Sequence, residues 1–330
     1  MFVGTDLSGD IGVQSSSFEK AFLRLVRIAA WSAVALLVTI AAYLITQSLP
    51  LWSTQSPLSF ISSTTWAGGL ERADGTVIEV YGAAAPLFGT AVTSLIAVMI
   101  AAPIGILGAV YLVEYAPKPL AISLTFIVEL IAAIPSVVFG LWAFGDLSAR
   151  LRDSVEWWIA STLGQFISWL SEEPGSPASD NVFRAGVVLA VMILPMIVAV
   201  SREFLRSVPT SLREGYVGMG ATKWEAIREV VLPTARIGLF GAVMLALGRA
   251  MGETIAVTMV IGNAPGIPSS LLLPGSTVAT RIANDIAEVT PGTHQAALVG
   301  IGLSLFLLTF VVSVSVRIAL RRYVLAKVAA

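Results

Sequence analysis

Nineteen consecutive residues, Ile28–Thr46, pass without one charged side chain, and almost uncharged stretches recur at about 87–113, 120–144, 182–200, 237–262 and 296–316. A helix rising 1.5 Å per residue needs about twenty such residues to cross a hydrocarbon core of about 30 Å. Inside lipid every backbone N–H and C=O must be bonded within its own segment, which leaves helices as the economical solution for stretches this long. The chain is therefore expected to be an all-α integral membrane protein with six transmembrane helices. Charged residues make up only 12% of it, where soluble domains carry about a quarter.

The same composition removes several chemistries. There is no cysteine and a single histidine, His294, so disulfides, thiolate metal sites and multi-histidine centres are excluded, and no metal site is expected. No Gly-x4-Gly-Lys-Ser/Thr loop occurs, so any ATP must be hydrolysed on another chain. A net charge of −1 gives no basic footprint for nucleic acid.

Along the chain, residues 1–27 read as a polar N-terminal tail. The apolar run that follows is too long for a signal peptide and lacks a small-x-small cleavage site, so it is an uncleaved first span. Ser48–Pro86 carries Trp52, Trp66 and Tyr81 as interface anchors. The hairpin Glu114–Pro119 returns the chain into a third span interrupted at Ile134-Pro135-Ser136. Trp157–Leu170 is uncharged but short, and Leu147, Leu151, Val155, Trp158 and Phe166 recur at helical spacing, which suits a helix on the membrane surface. A seventh span is the rival.

Charge decides between them. With six spans, one side holds three Lys/Arg in the tail, one at Lys118, six between 201 and 236 and four at the C-terminus, fourteen against five on the other. The positive-inside rule then places both termini, including the 319–330 tail, and the 201–236 loop in the cytoplasm.

That loop has an ordered spacing: Glu214, Gly220 six residues later, then Leu232-Pro233. Gly220 can take a left-handed turn, joining helices over about 213–219 and 222–231 into an elbow. Pro233 suits the first turn of the next helix. An ordinary basic loop is the plainer reading.

Two spans carry ionisable groups at depth. Arg249 lies in Leu-Ala-Leu-Gly-Arg-Ala-Met-Gly-Glu, four residues before Glu253, so on a continuous helix the two share a face and can pair. The planar donor fork of an arginine fits a tetrahedral oxyanion such as phosphate or sulfate. The alternative is an ion pair that only locks the span against its neighbours. Glu129, near Pro135 and Ser136, is expected to pack against a neighbouring helix rather than touch substrate. His294 is expected at the surface.

The elbow resembles the EAA loop of ABC-importer permeases, with Glu214-Gly215-Tyr216 standing for Glu-Ala-Ala and Val230 for Ile, while Gly220, Leu232 and Pro233 match. More specific are Phe60–Trp66, Tyr111–Pro117, Glu129–Trp142, Gly218–Trp224 and Gly248–Val257. These look like the C-type permease subunits of the phosphate-specific transport system. The resemblance implies the type I importer permease fold, with a permease domain over 28–318 in the cytoplasmic membrane, and a non-enzymatic role in phosphate import. It assigns the substrate pathway to Arg249 and Glu253 and the coupling to an ATPase to Glu214, Gly215, Tyr216, Gly220, Ala221, Leu232 and Pro233. The implied partners are a second, A-type permease subunit, two ATP-binding subunits that hold ATP and Mg, and an extracytoplasmic phosphate-binding protein. A permease for sulfate or molybdate, and a self-sufficient secondary carrier, are the competing readings. The carrier would show repeated halves with broken helices, and no such repeat is found.

Overall fold

A computed structural model describes residues 17–71, 77–171 and 180–328. Most of the expected N-terminal tail (1–16), Arg72, residues 172–179 and the last two residues lie outside the described residues. The chain divides into two compact units, Met1–Gln47 and Ser48–Ala330.

Helix α1 (Ser17–Thr54) carries Glu19, Lys20, Arg24 and Arg27 in its first turns and is uncharged from Ile28 onward. Its hydroxyls are turned back onto its own carbonyls, Ser32 to Ala29, Thr39 to Ala35 and Thr46 to Tyr43 at 2.8–3.0 Å. No hydroxyl among these three is left bare toward hydrocarbon. A short helix, Pro57–Ser62, follows it, and further helices are α2 (Ala84–Val110), α3 (Lys118–Ala132), α4 (Ser136–Trp142), α5 (Val182–Arg206), α6 (Thr210–Gly218), α7 (Lys223–Ala226), α8 (Leu232–Met251), α9 (Ile255–Thr258), α10 (Val278–Asp285) and α11 (Thr293–Val328). A two-stranded antiparallel ribbon, β1 (Ala67–Glu71) and β2 (Val77–Val80), precedes α2. Among the described residues five helical runs are long and apolar enough to cross a membrane, and α3 with the run after it makes a sixth if the bent pair is one span.

The core forms where α2 lies on α5. Gly89, Thr93, Ala97, Ala101, Gly105 and Ala109 recur every four residues on α2 and are buried. Opposite them stand the buried Ala185, Val188, Leu189, Met192, Ile193 and Ile197 of α5. Small residues let the two backbones approach, which is how helices gain packing energy where the hydrophobic effect is weak.

Two spans are broken, the third at the expected interruption Ile134-Pro135-Ser136 and the fifth where a continuous helix was expected. The third span bends by 90° between Ala132 and Ser136, because Pro135 has no N–H to give the preceding turn and keeps Ile134 out of the helical region. Beyond Phe144 the helix does not stop as expected. It runs to Leu163 through π-turns at Ala143–Leu147, Arg152–Glu156 and Ile159–Leu163, so the separate surface helix expected over Trp157–Leu170 is largely a continuation of this run. The fifth span, expected to continue to Gly262, is helical only to Met251, where Gly252 caps α8. The chain resumes as α9, whose Ala256 and Val257 are buried. Gly140 permits this packing: a Cβ there would stand 2.7 Å from Met259 Sδ and 3.0 Å from Ala256 Cα.

The run to Leu163 is fastened to α5 by charge. Arg184, wholly buried, donates from Nε and Nη2 to the two Glu156 oxygens at 2.9 and 2.7 Å. Asn181 Nδ2 donates to Glu156 at 3.0 Å, and its own Oδ1 caps α5 by accepting from Arg184 N. The π-turn ending at Glu156 turns this one side chain inward while Arg152–Val155 stay exposed. Asp180 lies 3.7 Å from Arg184 Nη1, and burial raises its carboxyl pKa against the opposing pull of Arg184 and Arg152.

Glu156→Ala would take away the bidentate acid of the buried Arg184 guanidinium and leave it only Asp180 at 3.7 Å, a loss of about 3–5 kcal/mol. Thermal unfolding of the purified protein should show a marked fall in Tm, and Glu156→Leu with Arg184→Met should regain most of it. An unchanged Tm for Glu156→Ala would contradict the clamp.

Candidate coupling elbow and pathway face

The elbow begins where α5 ends. Pro209 starts α6, Gly220 turns the chain at φ +96°, and Thr222 opens α7. The turn is secured by a capping box: Thr222 Oγ1 accepts from Glu225 N at 3.3 Å, and Glu225 Oε2 accepts from Thr222 N at 2.7 Å. The two arms, α6 and then α7 with a π-turn over Ile227–Val231, lie within a few residues of the expected helices. Pro233 does not begin a separate helix, however. The second arm continues into α8 as one helical run, Lys223–Met251, and the π-turn carries it past the proline, with Leu232 N bonded to Ile227 O.

Glu214 and Gly215 are exposed on α6, Tyr216 and Ala221 are half-buried, and Leu232 and Pro233 are half-buried at the start of α8. Leu212, Val217, Met219 and Trp224 add an exposed apolar surface, with Met219 77% exposed. The elbow also faces the π-turn Tyr111–Tyr115 that ends α2. Arg213 Nε stands 3.3 Å from Glu114 Oε1, and Arg213 Nη2 donates to Leu205 O at 2.5 Å. Lys223 Nζ donates to the Glu114 carbonyl and sits 4.8 Å from the Tyr115 ring centroid. A cavity of about 490 Å³ lies between, lined by Glu114, Arg213, Val217, Lys223, Ile227 and Val231 among others.

Farther along α8, Ile237, Gly241, Leu245, Gly248, Arg249 and Gly252 form one exposed stripe. Arg249 is in the last turn, where the helix dipole favours a cation, and makes no hydrogen bond or ion pair among the described residues. The expected pairing with Glu253 does not form. The helix ends two residues earlier, so the i,i+4 geometry is lost, and Glu253 lies half-buried in the break with its N–H on Ala250 O at 3.4 Å.

Glu129 does pair, 3.5 Å from Arg202 Nη2, and Arg202 also donates to Thr125 Oγ1. The Glu129 side chain is exposed, and its link to the neighbouring helix is this one ion pair rather than packing. Arg202 reads from the sequence as part of the loop, and α5 carries it a turn inside the helix instead. Pro135 and Ser136 form the bend. His294 is half-buried, its ring stacked on Tyr81 with centroids 5.5 Å apart. Burial, with Glu79 and Asp285 adding to it, pushes the Tyr81 hydroxyl up to about 12. Glu114, Arg213 and Lys223 were not singled out from the sequence; Glu114 stands within the Tyr111–Pro117 stretch that carries the resemblance.

Residues 101–324 match the family described as "Binding-protein-dependent transport system inner membrane component". The chain is 40% identical to the phosphate transport system permease protein PstC of Mesorhizobium japonicum, over 82% of this chain and 79% of that one. It is 37% identical to the Haemophilus influenzae protein of the same name, over 88% and 90%. It is 41% identical to that of Pasteurella multocida, over 72% and 73%.

Gly220→Val would put a branched side chain at a left-handed φ, a strain of about 1–3 kcal/mol. Limited trypsin digestion of the solubilised protein should then cut faster at Arg213 and Lys223 than in the parent chain. Equal cleavage rates would mean that the turn does not hold the elbow.

Proposed function

The chain belongs to the binding-protein-dependent transport system inner membrane components, multi-pass permease subunits of ABC importers, and from that membership we propose that it carries inorganic phosphate across the cytoplasmic membrane. It does so paired with a second, A-type permease. Two separate subunits hydrolyse ATP with Mg, and an extracytoplasmic protein delivers the anion. The names of the relatives support the substrate, and the guanidinium of Arg249, unpartnered among the described residues, is the observation that carries the pathway.

A charged side chain deep in a bilayer costs at least about 2.5–3.5 kcal/mol, so it faces a partner or water rather than lipid. The stripe around Arg249 is built from Gly241, Gly248 and Gly252, which leaves room for an anion or for close approach of the second permease. Uncommitted to any acid in this structure, Arg249 offers its donors to the phosphate oxygens. Glu253, off the helix and nearby in sequence, keeps an anion from being held too tightly. Glu129, Pro135 and Ser136 shape the bent span beside the path.

The elbow supplies the other half of the mechanism. Exposed Glu214, Gly215, Leu212, Met219 and Trp224 form the surface on which an ATPase subunit docks, with Tyr216, Gly220, Ala221, Leu232 and Pro233 shaping it. Because α7 runs into α8 without a stop, a displacement of the elbow reaches the Arg249 turn along one helix. Rocking of the two permeases then opens the path alternately to each side. The excess of Lys and Arg on the elbow side supports placing it and both termini in the cytoplasm.

Arg249→Gln removes one charge-assisted contact, about 1.5–3 kcal/mol. Uptake of labelled phosphate by the reconstituted complex should fall roughly 10–100-fold while assembly of the complex is retained, with Arg249→Lys in between. Full uptake by Arg249→Gln would refute the pathway role. Uptake of labelled sulfate, but not of labelled phosphate, by the same complex would reassign the anion.

A further inference from the structure

Helix α6 is unusual among the elements of the elbow in burying none of its nine residues. The second arm is different: Ile227 and Val231 of its π-turn are buried in a cluster with Ala109, Val110, Leu205 and Leu239. The first arm therefore depends on polar attachment, and Arg213 provides it. One guanidinium reaches the Leu205 carbonyl near the end of α5 and the Glu114 carboxylate at the end of α2. Lys223, at the start of the second arm, reaches the carbonyl of the same Glu114. Both arms of a turn pivoting on Gly220 thus converge on one residue.

Glu114 is suited to this. Its side chain is 8% exposed, and it sits in a π-turn, a rare geometry that shifts side-chain register and recurs at functional sites. The Arg213–Glu114 contact is ionic rather than a directed hydrogen bond. Arg213 Nε and Glu114 Oε1, both buried, have no well-aligned partner, and the adjoining cavity leaves the arms room to close on them.

We propose that Glu114 is the positioning residue that transmits displacement of the elbow to α2, acting through Arg213 on the first arm and Lys223 on the second. The proposal rests on the importer reading. In that reading α8 receives the stroke directly, because it is continuous with α7, whereas α2 receives it across this polar link. Since α2 packs along α5 through its small-residue face, moving its end moves the centre of the fold.

The test is phosphate moved per ATP hydrolysed by the complete complex in liposomes, using labelled phosphate and its binding protein. Glu114→Gln and Arg213→Gln should each lower that ratio at least roughly fivefold, and the double variant should lower it no further, because both remove one link. Arg213→Gln keeping the ratio within about twofold of the parent, or a double variant whose loss is the product of the two, would overturn the proposal. Arg213 stands on a helix with no buried residue, so its variant decides the matter if Glu114→Gln does not assemble. A parent complex that moves no phosphate with ATP would instead overturn the importer reading, whereas an active parent with unaffected variants overturns only the link.

Discussion

Charge cannot be left facing hydrocarbon, and the fold is arranged around the consequences. Arg184 is enclosed and meets Glu156 with both faces of its fork. Arg202 meets Glu129 and Thr125 across to α3. Each joins two helices that apolar packing alone would leave free to slide, and each has an acid to offset its burial. Among the described residues Arg249 has neither enclosure nor acid, although it lies in the same kind of apolar helix. Its face must be completed by something outside the chain, either another subunit or the aqueous path between subunits.

Helix breaks set where that face ends. Gly252 stops α8 one turn beyond Arg249, and the residues that follow are drawn inward, with Ala256, Val257, Val260 and Ile261 wholly buried. Gly140 lets α4 lie against them, and Pro135 supplies the bend that aims α4 there. An interrupted helix beside an uncommitted charge is how transport proteins expose backbone and side chains to a substrate without exposing them to lipid. At the other end of α8 the π-turn does the reverse, carrying the helix past Pro233 so that the elbow and the Arg249 turn share one helical run.

Most of this order was legible in the residues. Long uncharged stretches placed the helices, since period and length suffice where lipid is the solvent. The spacing from Glu214 through Gly220 to Leu232-Pro233 foretold the elbow, because a left-handed glycine has few other uses there. What was hidden depended on distance. Glu156 and Arg184 are separated by a weakly patterned segment and meet only because a π-turn rotates one of them inward. Glu129 and Arg202 meet because α5 outlasts its apolar run. The Arg249–Glu253 pair was expected from spacing on an unbroken helix, and tertiary packing of 255–261 won over that local periodicity.

The absence of cysteine makes the central claim directly measurable. With Arg249→Cys in the assembled complex, a membrane-impermeant thiol reagent should modify the new side chain readily, because a thiol reacts as the thiolate and therefore needs water. Leu107→Cys, on the exposed apolar surface of α2, should react far more slowly. Equal resistance at both positions would mean that the Arg249 face is sealed from water and that the anion crosses elsewhere.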